Sequence, residues 1–449
     1  MKIDELAQYR FPVTILEIWK REESEDLLPI QEVAITQGLL EGNSVIIAAP
    51  TSSGKTFVSE IAAYKCAWEQ KKVIYLAPHK AIVEEKYLGF RQKYQQYGIK
   101  VVVSSGDHHE FDEDIRQNQF DLAIFTYEKL AMLLVASPQI ACDCGLLIVD
   151  EIQMLADFHR GAELELLLTK FLTLSTRAQI VALSATIDRL NKLDEWLKAK
   201  VVIVKQRPIS LREGIYTPDG VFRFREWNTR EEGIENFPKS QSGDIEDMLD
   251  TLVVHLVNSG EQVLIFRKDK PSTVRTAQRL AELLNLKPAT DVIEGLRALE
   301  NTTAREQLIE CLRSGVAFHN ASLVSEERLL IESYFREGHI RVICSTSTLA
   351  MGVNLPARTV IIADADKWDR DEKTGEWKRV PINVAEYRNM SGRAGRYRFR
   401  DEFGRSVLLA AKQFEYDKYR ASYIGGIVDA IDSSGVSVKF CNELDRACC

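Results

Sequence analysis

Long apolar runs are missing from this sequence. No apolar stretch reaches the ~18–20 residues that cross a bilayer, so no segment is expected to span a membrane. Paired Cys-x-x-Cys spacings are missing too. The eight cysteines (Cys66, Cys142, Cys144, Cys311, Cys344, Cys441, Cys448 and Cys449) are scattered, which leaves a zinc or iron–sulfur centre without its ligand pattern. They read as reduced thiols, some in the core, with a loose pair at the terminus. The opening stretch "MKIDELAQYRFPV" carries Asp4 and Glu5 and lacks the apolar core of a secretory signal. The expected location is the cytoplasm, with association with a nucleoid or nucleus left open. An excess of positive charge is absent as well. The net charge of −8 argues against a passive, charge-driven binder of polyanions, but it leaves room for a local basic groove. There is no short repeat and no low-complexity segment.

What is present is the composition of a soluble globular protein, 45% apolar and 28% charged. At 449 residues it has room for two or three domains. Short runs rich in Val, Ile, Leu and Ala recur at 44–50, 72–78, 100–106, 121–127, 145–151 and 179–186. They read as buried strands separated by helical patterns, which predicts a mainly parallel sheet covered by helices on both faces. Residues 207–244 are polar and irregular, and 206–244 reads as a linker with a hairpin around "TPDG". Strand–helix alternation then resumes, with strands expected at 262–268, 316–322, 341–346, 359–366 and 406–411. The fold class is therefore α/β, with one domain over 1–205, a second over 245–415, and a short tail over 416–449.

Ligands of such sheets sit beyond the carboxyl ends of the strands, where the unusual residues cluster. "APTSSGKT" (49–56) fits G-x-x-x-x-G-K-[ST] except at Ala49, and it stands between a strand and a helical stretch. The backbone N–H groups of such a loop surround phosphate at a helix N-terminus. Thr51, Ser52, Ser53 and Gly54 form the cradle, Ser52, Ser53 and Gly54 letting the backbone approach closely. Lys55 would neutralise phosphate, and the Thr56 hydroxyl would bind magnesium. "LLIVDEIQ" (146–153) runs four apolar residues into Asp150 and Glu151. Behind a phosphate loop, Asp150 reads as a magnesium ligand, directly or through water. Glu151 reads as the base that orients and deprotonates an attacking water.

Taken together, "APTSSGKT", "APHKAIVEEK", "TYEK", "DEIQ", "SAT", "STSTLAMGVNLPA" and "YRNMSGRAGR" stand in the order of the motifs of superfamily 2 DExH-box helicases. The sequence resembles the superkiller-like branch. "RPISLREGIY", "VAFHNASL" and "EYRNMSGRAGR" are most similar to the archaeal repair helicases and their HELQ-type relatives, and the resemblance covers roughly residues 25 to 415. It implies two tandem RecA-like domains that bind ATP and magnesium in a cleft and move 3′-to-5′ along one strand. It assigns Gln31 to the adenine edge. Ser184 and Thr186 would link nucleotide state to domain closure, and Gly352 and Asn354 would approach the nucleotide from the second domain. Arg393 and Arg396 become arginine fingers. The strand itself would run along Pro78, Lys80, Thr126 and Glu128 of the first domain, and along Arg267, His319, Ser345 and Thr346 of the second. His319 reads equally as a satisfied core histidine. DNA, single-stranded or forked, is favoured as the track on the "VAFHN" and linker similarity. A superkiller-type RNA helicase is one alternative, and an ATP-gated clamp without processive unwinding is the other.

Two positions depart from the family pattern. Gln153 stands where the motif has histidine, and Asn389 stands where it has glutamine. Glutamine donates and accepts hydrogen bonds but gains no charge near neutral pH, so coupling could persist with a changed pH dependence. "DEKTGE" (371–376) reads as a tight turn between strand arms, which the resemblance makes a strand-separating prong. Trp368 and Trp377 beside it read either as stackers on the last base pair or as a cross-strand pair stabilising the hairpin. The histidines and carboxylates of "GDHHEFDED" (106–114) read as a solvated loop rather than a metal site. The resembling helicases continue into winged-helix and ratchet domains. Those are not expected in the last stretch of this chain, so the expectation is a fragment, a protein partner supplying them, or a motor core that grips its strand weakly.

Overall fold

Each apolar run of the first half becomes one strand of a single sheet. In the computed structural model, which describes all residues except 51–52, 107, 158–159, 186–191, 300–301, 347–354, 371–375, 400 and 425–449, these strands are β1 (Val45–Ala48), β2 (Lys72–Ala77), β3 (Val101–Ser104), β4 (Leu122–Thr126), β5 (Cys144–Val149) and β6 (Gln179–Ser184). A strand not expected from the sequence, β7 (Lys200–Ile203), closes one edge. The order is β3-β4-β2-β5-β6-β1-β7, and every pair is parallel. Side chains alternate between two cores, as the two-residue period of a strand requires. Val45 and Ile47 join one core, with helices Pro29–Thr36, Lys55–Trp68 and Lys80–Tyr94. Ile46 and Ala48 join the other, with helices Tyr127–Ala136 and Gly161–Leu174. Covering both faces explains why these strands read as continuous apolar runs rather than alternating ones.

The chain divides into two compact units between Lys205 and Gln206. Unit two is built on an eight-stranded sheet of order β10-β9-β8-β17-β14-β11-β13-β12. Its strands are β8 (Ser210–Tyr216), β9 (Val221–Glu226), β10 (Glu232–Asn236), β11 (Val263–Arg267), β12 (Val316–His319), β13 (Val342–Thr346), β14 (Thr359–Ile362) and β17 (Phe403–Leu409). A separate antiparallel hairpin pairs β15 (Asp366–Arg370) with β16 (Trp377–Pro381). Among the described residues no helix is long and apolar enough to cross a membrane.

The expected linker is not a linker. Residues 206–244 hold three strands of the second sheet. β8 pairs in parallel with β17, and β9 and β10 add antiparallel beyond it. The β8–β9 hairpin turns over Thr217–Gly220, where the Gly220 N–H donates to the Thr217 carbonyl at 3.0 Å. The misreading has a physical cause. β9 and β10 lie at the sheet edge with charged residues on an open face, so neither shows an apolar run. Ion pairs fasten the edge instead. The Glu235 carboxylate of β10 accepts from Arg212 of β8 at 2.5 Å and from Arg405 of β17 at 2.9 Å.

Gly214 shows how closely this segment packs. A Cβ there would lie 2.2 Å from the Arg223 carbonyl oxygen and 2.7 Å from the Phe224 Cα, both on the backbone of β9. Gly214→Ala is therefore expected to destabilise the protein by about 1–3 kcal/mol, the usual cost of overpacking. Thermal melting checks this, and an unchanged melting temperature would mean that β8 and β9 are not held as described.

Candidate active site

Sheet order brings the chemistry together. β5, β6 and β1 are neighbours, so their carboxyl ends place the carboxylates, Ser184 and the phosphate loop side by side. The loop leaves β1 at Ala49 and enters the 14-residue helix Lys55–Trp68. Gly54 caps that helix in the left-handed region at φ 87°, and a Cβ there would meet the Gln31 Nε2 at 2.4 Å. Only glycine fits both constraints. Ser53 is buried, and its hydroxyl donates to the Pro50 carbonyl at 2.6 Å. The Lys55 ammonium donates to the Pro50 carbonyl at 2.8 Å and also to that of Ala49. Thr56 is exposed on the first helical turn. Thr51 and Ser52 lie outside the described residues.

Gln31 is buried against this loop. Its Oε1 accepts from the Leu28 N–H at 2.8 Å, and its Nε2 donates to the Gly54 carbonyl at 3.2 Å. One lone pair and one N–H of the amide remain for a base edge. The observed contacts make Gln31 first of all a brace between its own helix and the phosphate loop.

Asp150 follows β5 and is held from two sides. Tyr75 donates to its Oδ2 at 2.8 Å, and Tyr127 donates to its carbonyl. Burial, reinforced by the Asp150 charge, holds the Tyr75 phenol well above its ordinary pKa, so it stays a donor. Tyr75 did not stand out in the sequence, because it lies in an apolar run; Tyr127 lies within "TYEK", but only its neighbours Thr126 and Glu128 were singled out there. Glu151 takes up a left-handed backbone at φ 54°, an uncommon state for a residue with a side chain. Such strain persists only where the surroundings impose it. Here the surroundings include Gln153, whose Nε2 donates to Glu151 Oε2 while its Oε1 accepts from the Ser184 hydroxyl at 2.8 Å. The glutamine that departs from the motif thus bridges the end of β5 to the end of β6.

The residues fit a magnesium–nucleotide complex. A helix N-terminus with a lysine over the loop suits phosphate, and a hydroxyl with a carboxylate supplies the hard oxygen donors that magnesium prefers.

The residues expected along a nucleic-acid strand fare unevenly. Lys80 is exposed at the start of the helix Lys80–Tyr94. Glu128 is exposed and paired with Arg160. Arg160 also donates to the Pro78 carbonyl at 2.5 Å, so it ties two of the expected segments together. No motif pointed to it. Thr126 is buried, and its hydroxyl caps the helix Tyr127–Ala136 by accepting from the Lys129 N–H at 3.4 Å. The histidines of "GDHHEFDED" enter local pairs, His108 with Glu84 at 2.6 Å and His109 with Asp112 at 3.4 Å.

In the second unit two expected contacts, Arg267 and Ser345, are corrected, and His319 takes the core reading that stood beside its contact reading. Arg267 is buried, donating to Asp364 at 2.8 Å, to Glu246 at 2.6 and 3.0 Å and to Thr276 at 2.9 Å. Its guanidinium is an internal clamp. His319 is a core histidine, 2.8 Å from Glu332. The Ser345 hydroxyl is buried and turns inward to the His319 carbonyl at 3.0 Å. Thr346, half-buried, ends β13. Arg396 is also held inside its own unit, by Asp401 at 3.0 and 3.1 Å and by the Gln262 Oε1 at 2.6 Å, rather than projecting as a finger. Arg393 and Asn389 are half-buried. Thr186, Gly352, Asn354 and residues 371–375 of the hairpin turn fall outside the described residues. Trp368 lies opposite Arg379 and Trp377 opposite Arg370, so the tryptophans are diagonal neighbours rather than a facing pair. They are 46% and 66% exposed.

Comparison with known proteins agrees with this geometry. The DEAD/DEAH box helicase family matches residues 28–193, and the helicase conserved C-terminal domain matches residues 244–398. The ATP-dependent DNA helicase Hel308 of Pyrobaculum calidifontis is 36% identical over 438 residues, covering 96% of this chain and 58% of that protein. The protein of the same name from Pyrococcus abyssi is 36% identical over 418 residues, covering 92% of this chain and 54% of that protein. That from Caldivirga maquilingensis is 37% identical over 427 residues, with the same two coverages of 92% and 54%. The chain thus spans a little over half the length of these relatives.

Two expectations follow from the site. Gln153→His should add a step near pH ~6.5, the ordinary histidine value, to the pH profile of nucleotide turnover, because the bridge would then carry an ionisable group. Superimposable profiles for the two proteins would show that the bridge does not touch the chemistry. The second concerns Glu246. Burial alone would raise its pKa, but bonds from Arg267 and Arg279 outweigh that and hold it down at about 2, from an ordinary 4.5. A depressed folded pKa stabilises the protein above the unfolded value and is lost as pH falls through the folded one. Denaturant melts should therefore lose stability from pH 4.5 towards pH 2, and Glu246→Gln should flatten that slope. An identical slope in the variant would remove Glu246 as its source.

Proposed function

We infer the function from family: the chain belongs to the superfamily 2 DExH-box helicases and is related to the archaeal Hel308 proteins. It is proposed to be the ATP-hydrolysing motor of a DNA helicase, moving 3′-to-5′ on single-stranded DNA and separating duplex ahead of it. The observation that carries this reading is the bridge from Glu151 through Gln153 to Ser184, beside the phosphate loop. It joins the base to the segment assigned to domain closure.

The residues divide the work as follows. The loop N–H groups and Lys55 hold the phosphates. Thr56 and Asp150 would hold magnesium, which when bound supplies positive charge to the transferring phosphoryl group. Tyr75 and Tyr127 keep the Asp150 carboxylate and its backbone in place. Glu151 orients water and accepts its proton. Arg393 is retained as the arginine that meets the phosphate charge, a contribution of ~10³–10⁵ in rate for such residues. On the DNA side, Lys80 and the exposed Trp368 and Trp377 are the candidate contacts. Phosphate contacts position a strand and base stacking tolerates any sequence, so the expected binding is sequence-independent.

Steady-state ATPase measurements with and without single-stranded DNA or RNA test the reading, with Glu151→Gln alongside. The expected result is low basal turnover, strong stimulation by DNA, and loss of both in the variant. Turnover equal to that of Glu151→Gln under every condition would refute the motor assignment. Stimulation by RNA alone would move the track to RNA.

A further inference from the structure

Arg207 stands two residues beyond the unit boundary, in the stretch first read as linker. Its side chain is 4% exposed. One terminal nitrogen, Nη2, donates to the Gly392 carbonyl at 3.2 Å and to the Ala394 carbonyl at 2.8 Å. These are the carbonyls of the two residues on either side of Arg393. The Arg393 carbonyl is itself taken, accepting from the Ala357 N–H at 2.9 Å, and the Gly395 N–H donates to the Ala357 carbonyl at 2.8 Å. Three successive carbonyls of the loop are pinned. Arg207 is anchored in turn by Asn228, between β9 and β10. Its N–H donates to Asn228 Oδ1 at 2.9 Å, and its carbonyl accepts from Asn228 Nδ2 at 3.0 Å.

Stability does not explain an arginine here. Burial pushes the guanidinium pKa down to about 10, with Glu213 opposing the fall and Arg388 adding to it. Its Nε has no hydrogen-bond acceptor among the described residues. A buried charge with an incomplete donor set is costly, and an apolar side chain of similar volume often serves stability as well or better. What an apolar side chain cannot do is hold two carbonyls that flank one residue. A planar guanidinium with several N–H donors can.

We propose that Arg207 is a positioning residue for Arg393, fixing the direction in which that side chain leaves its loop. This rests on the reading of Arg393 as the arginine that meets the transferring phosphate. Displacing such a group by about 1 Å can cost on the order of 10²-fold in rate.

A double-mutant cycle on the full chain tests it, with Arg207→Met, Arg393→Ala and the two combined. The readouts are thermal melting, and kcat and KM for ATP at saturating single-stranded DNA. Arg207→Met should lower kcat by roughly tenfold to a hundredfold while KM stays within about twofold. The combined variant should be no slower than Arg393→Ala alone, since the two residues act as one unit. Losses that multiply would overturn the proposal, as would wild-type kcat in a folded Arg207→Met protein. Wild-type kcat in Arg393→Ala would instead overturn the assignment of Arg393, which separates the two failures. If Arg207→Met melts below the assay temperature, Arg207→Lys replaces it. A single ammonium should then restore part of the kcat in the presence of Arg393, and change nothing in the Arg393→Ala background. Any effect in that background overturns the proposal.

Discussion

Unpaired polar groups are costly on the faces of a sheet that is buried on both sides, so most of its polar chemistry gathers at the strand ends. In the first unit Val45 through Ala48, Val73 through Ala77 and Leu146 through Val149 are all buried, and the first residues free to be polar are those just beyond them. The phosphate loop, the Asp150–Glu151 pair and Ser184 occupy these positions because parallel strands end on the same side. The neighbour relation β5-β6-β1 then decides which of them meet. The bridge through Gln153 follows from that adjacency. Its two hydrogen bonds run between the ends of adjacent strands, a span that one amide can cover.

A second constraint governs the arginines. In the sequence, Arg267 and Arg396 look alike as candidates for phosphate contacts. In the fold, their guanidinium groups are spent inside the second unit, on Asp364, Glu246, Asp401 and Gln262. Arg405 behaves in the same way, joining Glu235, Glu261 and Thr359. Such pairs contribute little net stability over an apolar alternative, but removing one partner leaves a buried charge and costs about 3–5 kcal/mol. Two such pairs, of Arg212 and Arg405 with Glu235, fasten the second sheet at β10, where β9 and β10 bury few apolar residues. A phosphate-facing arginine and an internal clamp use the same five donors. The residue type alone does not distinguish them.

Legibility differed by element for related reasons. Strands covered on both faces announce themselves as apolar runs, and β1 to β6 and β11 to β14 lie where those runs stand. Strands β9 and β10, at and next to the sheet edge, carry charged residues, and β8, although paired on both sides, holds Ser210, Arg212 and Glu213 among its apolar residues, so all three read as linker although they belong to the second sheet. β7 was missed because it is short and follows a polar stretch. The loop and the carboxylates of the candidate nucleotide site were legible, since a phosphate loop needs its glycine, lysine and hydroxyl in fixed sequence positions. The supports of that site were not. Tyr75 was hidden in an apolar run, Tyr127 stood unremarked inside "TYEK", and Arg160 and Arg207 act over 82 and 187 residues of chain.

The sequence by itself determined the fold class, the strand–loop–helix of the phosphate site and the pairing of Asp150 with Glu151. These are local patterns, set by backbone geometry and by burial within a few residues. Only the tertiary structure decided that Gln153 joins Glu151 to Ser184, that Arg267, His319, Ser345 and Arg396 turn inward, and that Arg207 holds the loop of Arg393. A donor is committed by whichever acceptor the fold brings within about 3 Å, and in these cases strand order and loop packing determine which acceptor that is.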